Sequence, residues 1–455
     1  MLLEVTVKWV ILFFLVLVGG QLHPPTPAEY RRLPPLREQA EILDRWTSER
    51  IARIPLLLQK YGVDAWLMCQ REHAEDTIWW SIKNATAYDV HRRTVVLFHT
   101  NTSSLQGQPN PLVWVDNTGE VWTDLHKRLA SYDPKRIAVN VDQNIAFSGG
   151  MHVGEMHVLE EELEPKWMSR MVNVPMLAIE YVSDKVSGQI QYYRDMQEVI
   201  WAMLEEGFSH KIIDPGVTST TNHPRIFVTT PASFPGWAGS DDIIQEGDLL
   251  HIDFGITAMG MNTDTQHLAY VLRTSEGETD APEGHQEKMT FRYTPGLKKG
   301  NRMQDIVLEN MKAGLTGDEV LQRCLEQMKL ENIEGQIYSH PIGDWGHDAG
   351  AVMGFTNFPE HVPVLGELLI LPNTYYSIEL FATHFVLERN ETLRFLLEEN
   401  AYWNAETETW QFVRGAVYIE KIFSKAYRMD ALGRQERFHL INRRKRESTI
   451  PFNVQ

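Results

Sequence analysis

The sequence predicts a mixed α and β protein, an α/β first half followed by a second half that contains an antiparallel hairpin. Three observations carry this expectation. From Leu36 to Tyr61 apolar residues recur at helical spacing (Ile42, Trp46, Ile51, Ile54, Leu57, Leu58). Short strand-like runs follow at 63–68, 93–98 and 112–115, and helix followed by strands through about residue 180 is the order of an α/β unit. Lastly, two apolar segments between Leu249 and Leu272 flank Thr257-Ala258-Met259-Gly260 as strands flank a turn.

Taken in order, Met1 to Gly20 reads as a signal peptide: Lys8 precedes the apolar run Val10 to Val18, and Val18-Gly19-Gly20 offers small residues for cleavage. The run is short of the roughly 20 apolar residues that a membrane span needs. With three sequons, at Asn84, Asn101 and Asn390, this predicts a secreted protein, with a membrane anchor as the alternative. Residues 21–35 are a proline-rich lead-in, and the first domain is expected over 36–185. Gly62 ends its opening helix. A long helix is expected over 191–210, Pro215-Gly216 breaks the pattern, and Gly247-Asp248 turns the chain into a strand at Leu249 to Phe254. The second domain is expected over 186–440, and a basic tail over 441–455. No repeat of solenoid period is present.

Composition narrows the function. The formal net charge is -18, from 61 acidic and 43 basic residues. That balance argues against nucleic acid or an anionic membrane as partner, because both reward clustered Lys and Arg. The one basic run, Arg443 to Arg446, reads as a solvated tail. The only cysteines, Cys69 and Cys324, are expected as buried free thiols. No Cys/His cluster exists for a thiolate metal site.

The residues that carry chemistry are acidic and imidazole groups in apolar surroundings. A hairpin centred on 257–260 pairs Asp253 with Asp264 and aims both carboxylates to one side. Ordinary turn or edge residues are the bland alternative, but Ile252, Phe254 and the aliphatic run around them imply burial. Two buried carboxylates repel unless a cation intervenes. SHPIGDWGHDAG then places His340 and His347 seven residues apart, with glycines and Pro341 excluding a regular helix between them. YYSIELF puts Glu379, and VYIEKIF puts Glu420, inside β-rich runs. Four carboxylates, Asp253, Asp264, Glu379 and Glu420, are neutralised by two divalent ions. Oxygen-rich ligands with one imidazole suit Mn²⁺, Co²⁺, Fe²⁺ or Zn²⁺.

On these segments the sequence resembles the pita-bread metallopeptidases, which include methionine aminopeptidases, prolidases and Xaa-Pro aminopeptidases. IDFG and NTDTQ match the family's first two aspartate motifs, SHPIG its histidine motif, SIEL its fourth-ligand motif and YIEK its fifth. The resemblance covers about residues 185 to 440, and 36 to 180 looks like the creatinase-type domain that precedes the catalytic one. It implies an α/β N-terminal domain followed by an α+β pita-bread domain with a curved antiparallel sheet. It also implies two divalent metals, Mn²⁺ foremost, held by Asp253, Asp264, His340, Glu379 and Glu420, and a peptide or dipeptide as substrate. Hydrolysis would use Glu379 as general base and His347 as hydrogen-bond donor, and the family is often dimeric. Two departures stand against full activity. Where the family places an upstream catalytic histidine the chain has Pro235 and Gly236, the nearest upstream histidine being His223, which is not expected to fill the role, and Lys421 follows Glu420 where the family has Asp or Asn. A creatinase-like hydrolase of a C–N bond and a non-enzymatic binding protein are the rival readings.

Overall fold

A computed structural model describes residues 28–100, 105, 107–209, 212–217, 226–228, 243–272, 293–414 and 439–441. The expected leader, the upstream segment with His223, Pro235 and Gly236, and the Glu420–Lys421 segment lie outside them.

The opening helical pattern forms two helices, Leu36–Ile51 and Ile54–Lys60. The expected single helix divides because Pro55 has no N–H to donate and sits in the first turn of the second helix. Strands β1 (Ala65–Arg71), β2 (Arg93–His99), β3 (Leu112–Val115), β4 (Ile137–Val139) and β5 (Met171–Asn173) form a five-stranded sheet in the order β3-β2-β1-β4-β5. β1 is antiparallel to β2 and parallel to β4. Its residues divide by parity: Trp66 and Met68 enter one core with Phe98 and Tyr181, while Ala65, Leu67 and Cys69 enter another with Leu125 and Leu159. A strand covered on both faces reads as an unbroken apolar run, which is why Ala65 to Cys69 shows no alternation.

Helix Gln189–Gly207 leads into the second sheet. Its strands are β6 (Ile226–Val228), β7 (Leu249–Asp253), β10 (Gln266–Val271), β11 (Gly335–Ile337), β12 (His340–Ile342), β13 (Tyr375–Val386), β14 (Glu391–Asn404), β15 (Thr409–Phe412) and β16 (His439–Ile441). A separate ribbon, β8 (Thr257–Ala258) with β9 (Met261–Asn262), lies between β7 and β10. The path runs β11-β13-β14-β10-β7-β6, with β12 on β13, β15 on β14 and β16 on β10. Helices Thr294–Asn310 and Gly317–Leu330 cover one face of this curved, open sheet. The second helix starts with a capping box between Thr316 and Glu319. The first lies close on β14, since a Cβ at Gly296 would stand 2.2 Å from the Phe395 ring.

The hairpin register differs from the expectation by two residues: Asp253 pairs with Gln266, not with Asp264. The cause is the turn. Met259 and Gly260 both have positive φ, 51° and 65°, as in the tight two-residue turn whose twist suits a hairpin, so Thr257 meets Asn262. A slip of two residues preserves parity, so Asp264 stays on the face of Asp253.

Cys69 and Cys324 are buried and unpaired, in different cores. Among the described residues no helix is long and apolar enough to cross a membrane.

Candidate metal centre

Register brings the acidic groups together on the open face of the second sheet. Glu379 on β13 faces Glu398 on β14. His340 pairs with Ser377, two residues from Glu379 and so on the same face. Glu398 also pairs with Gln266, whose other neighbour is Asp253. Even offsets in every direction thus converge on one spot, because strand side chains alternate with a period of two.

The result is three overlapping groups in which each residue offers a ligand atom within 4.8 Å of the others: Asp253 with Asp264 and Glu398; His340 with Glu379 and Glu398; Asp264 with His340 and His347. Four of the five expected ligands, Asp253, Asp264, His340 and Glu379, therefore meet. His347 stands exposed beside the cluster, its ring centroid 4.3 Å from that of His340. Glu398 belongs to two of the groups and was not foreseen.

Whether these residues fit a cation is decided first by His340. Its Nδ1 lies 2.9 Å from the Pro341 carbonyl oxygen, which can only accept, so the neutral imidazole carries its proton on Nδ1 and its lone pair on Nε2. Nε2 is buried and lacks a hydrogen-bond partner among the described residues. It faces Glu398 Oε1 at 3.6 Å and Glu379 Oε2 at 3.8 Å, too far for a hydrogen bond. A lone pair and two carboxylates around one gap make a donor set for a divalent ion.

The electrostatics agree. Burial, then the charges of Glu398 and Asp253, hold the Asp264 carboxyl well above its ordinary range. Burial, then Glu398, Asp264 and Asp253, do the same to Glu379. Glu398 is pushed up to about 8 by burial and by Asp253, against hydrogen bonds from Ser377 and Gln266. Burial, followed by His340, lowers His347. Among the described residues no cationic side chain pairs with these crowded carboxylates, and metal ions would supply the counter-charge.

Neutral side chains hold the cluster in place. Gln266 Nε2 donates to Glu379 Oε1 (2.5 Å) and Glu398 Oε2 (2.9 Å), while its Oε1 lies 2.9 Å from His251 Nε2. Ser377 Oγ donates to Glu398 Oε1 at 2.6 Å. Asn400 accepts from the Asp264 N–H and donates to the Asp264 carbonyl, at 3.1 and 2.7 Å.

A signal for Glu398 exists in the sequence. Leu387 to Asn390 turn the chain between two β-rich runs, Val386 pairs with Glu391, and counting outward sets Glu379 against Glu398. The strand also carries the acidic pair Glu398-Glu399 within Leu396 to Asn400. Glu420, the fifth ligand that the resemblance implies, lies outside the described residues.

No family model matches the chain, and no curated protein matches it in sequence. Solved structures do match. An Xaa-Pro dipeptidase from Bacillus anthracis aligns with TM-score 0.51 and 15% identity, over 81% of this chain and 97% of that one. An X-Pro aminopeptidase from Thermotoga maritima aligns with TM-score 0.51 and 16% identity, over 78% and 97%. A dipeptidase from Mycobacterium ulcerans aligns with TM-score 0.53 and 12% identity, over 88% and 99%. The chain has the fold of these proteins, the pita-bread fold that its motifs predict.

Proposed function

We propose that the protein is a metal-dependent peptidase that hydrolyses the N-terminal bond of a peptide or dipeptide, with Xaa-Pro as the preferred bond. The bare, buried Nε2 of His340 between Glu379 and Glu398 carries this reading. The fold shared with three solved chains named as peptidases supports it.

Asp253, Asp264, His340, Glu379 and Glu398 would hold two divalent ions, Mn²⁺ first among the candidates. Glu420 is the sequence-based alternative to Glu398. When bound, such ions supply Lewis acidity and make water a nucleophile near neutral pH. Glu379 would take the proton of the attacking water at Oε2, the oxygen that Gln266 does not engage, and pass it to the leaving amine. His347, exposed beside His340, would donate a hydrogen bond to the scissile carbonyl as negative charge develops on its oxygen. Gln266, Ser377 and Asn400 keep the carboxylates aimed, which costs no reorganisation during the reaction. If no residue replaces the histidine missing at Pro235 and Gly236, turnover is slower by roughly 10²- to 10⁴-fold, the usual contribution of one proton-handling group.

The test is a panel of Xaa-Pro dipeptides and tripeptides, assayed with added Mn²⁺ and again after chelation. Metal-dependent release of the first residue is expected, reduced further by His347→Ala. A metal-loaded protein that cleaves nothing in the panel defeats the proposal and favours a binding protein. The first domain (36–185) and the secretory route belong to the same proposal. Mature secreted protein should begin near Gln21, and N-terminal sequencing that finds an intact Met1 on intracellular protein would exclude that route.

A further inference from the structure

Away from the carboxylate cluster, four charged side chains are buried together where the first half of the chain meets the loop 343–350. Arg50 comes from the helix Leu36–Ile51, Lys185 follows the helix Pro175–Ser183, and Asp344 and Asp348 stand on either side of His347. Arg50 donates to Asp344 Oδ2 at 2.6 Å. Lys185 Nζ donates to Asp344 Oδ1 at 3.2 Å and to Asp348 Oδ2 at 2.9 Å. The side chains are 8%, 3%, 11% and 1% exposed for Arg50, Lys185, Asp344 and Asp348. Two positive and two negative groups balance. Stability is a poor account of such a network, since well-packed apolar residues often do as well or better.

Each ion pair of the network ends on a carboxylate of the loop. Asp348 Oδ2 accepts the Asp344 N–H at 3.1 Å and Asp348 Oδ1 accepts the Ala349 N–H at 2.8 Å, so one carboxylate spans the turn that bears His347. Trp345 packs edge-on against Phe147 of the first half, with centroids 5.9 Å apart. Lys185 is itself fixed, because its N–H donates to the Asn373 carbonyl and its Nζ to the Val182 carbonyl. A Cβ at Gly343 would lie 2.4 Å from Lys185 Nζ and 2.6 Å from Asp348 Oδ2, so the loop's path and the ion pair occupy adjoining space. On the other side Asn262, two residues before Asp264, donates from its backbone N–H to the Gly343 carbonyl at 2.7 Å. Its Nδ2 donates to the carbonyls of Gly343 and Asp344 at 3.1 and 3.0 Å.

We infer that Arg50, Lys185, Asp344 and Asp348 are positioning residues through which the first half of the chain sets His347 over the carboxylate cluster. The His340 and Glu379 side chains are carried by β12 and β13, and the loop touches them through a backbone group, the Asp348 N–H, which donates to the Pro341 carbonyl at 2.9 Å and is kept in every variant below. The kinetic part of the inference rests on the proposed peptidase reading; the placement of His347 does not.

The test uses the full chain and the double variant Arg50→Met with Asp344→Asn, which removes one charge of each sign. The imidazole ¹⁵N resonances of His347, identified by their loss in His347→Ala, should shift and broaden in the metal-free double variant. Affinity for Mn²⁺ alone, by calorimetry, should fall by far less than the roughly 10- to 100-fold that damage to a ligand's hydrogen-bond partner produces. On a peptide that the wild type cleaves, kcat should drop about 10²-fold, the scale of a misplaced catalytic group, with little change in KM. Unchanged His347 resonances overturn the inference, as does Mn²⁺ affinity that collapses along with them. Arg50→Lys keeps the charge and shortens the reach; it should move the same resonances in the same direction, and decides the matter if the double variant does not fold. If the wild type cleaves no peptide, the resonances and the affinity still decide, and only the peptidase proposal falls.

Discussion

Gln266 is the neutral residue on which the cluster depends. Its amide nitrogen serves Glu379 and Glu398 together, and its oxygen lies beside His251 Nε2. Gln266→Leu removes all three links inside a buried site. A buried polar group left unpaired costs about 1–3 kcal/mol, so the urea midpoint should fall accordingly. Mn²⁺ affinity should fall roughly 10- to 100-fold, as it does when groups that orient ligands are lost. Asp76 offers a second test, remote from the site. Burial raises its pKa from 3.8 to about 6, against hydrogen bonds from Ile78 and Asn140. A raised carboxyl contributes stability fully below its unfolded pKa and loses it as pH rises through the folded one. The window is therefore from about pH 4 to about pH 6, and the contribution is roughly 3 kcal/mol at about 1.36 per unit. The unfolding free energy of the wild type minus that of Asp76→Asn should fall by about that amount across the window as pH rises. A difference that stays flat or grows would contradict the assignment.

At the scale of elements, hairpin parity placed the site. The apolar runs of β7 and β10 were legible in the sequence, and so was the shared face of Asp253 and Asp264. The pairing was not, because register depends on how many residues the turn consumes, and Met259 with Gly260 consume two. Parity survived the error because the slip was even. Glu398 was missed although its turn at 387–390 is as readable as the one at 259–260. The helix Leu36–Tyr61 was legible as an amphipathic face but not as two helices, since the break comes from Pro55 alone. Packing of helix Thr294–Asn310 on β14 makes a prediction of its own. Replacing an interior helical glycine by alanine ordinarily stabilises a helix by up to about 1 kcal/mol. At Gly296 the new Cβ meets the rigid Phe395 ring at 2.2 Å, and at Gly300 the mobile end of Leu397 at 2.6 Å. Gly296→Ala should therefore lower stability by about 1–3 kcal/mol, the cost of overpacking. Gly300→Ala should lower it less. Thermal melts of the two variants give the order, and a Gly296→Ala protein more stable than wild type would refute the packing.

For the whole molecule, a two-sided α/β sheet supports an open sheet whose free face gathers charge. Buried carboxylates without a counter-charge oppose folding, and ions that bind only the folded state stabilise it, by about 2.7 kcal/mol at a concentration one hundred times Kd. Melting temperature should rise with added Mn²⁺ in the wild type and stay level in Asp264→Asn. The most direct measurement is metal content with binding stoichiometry, made on the wild type, Glu398→Gln and Glu420→Gln, each purified without chelator and titrated with Mn²⁺, Co²⁺ or Zn²⁺. The wild type should bind about two equivalents, as a paired-metal site requires, with a large loss in Glu398→Gln and retention in Glu420→Gln. A folded wild type that binds none of the three ions near stoichiometry, or a Glu398→Gln protein that binds them as the wild type does, would contradict it.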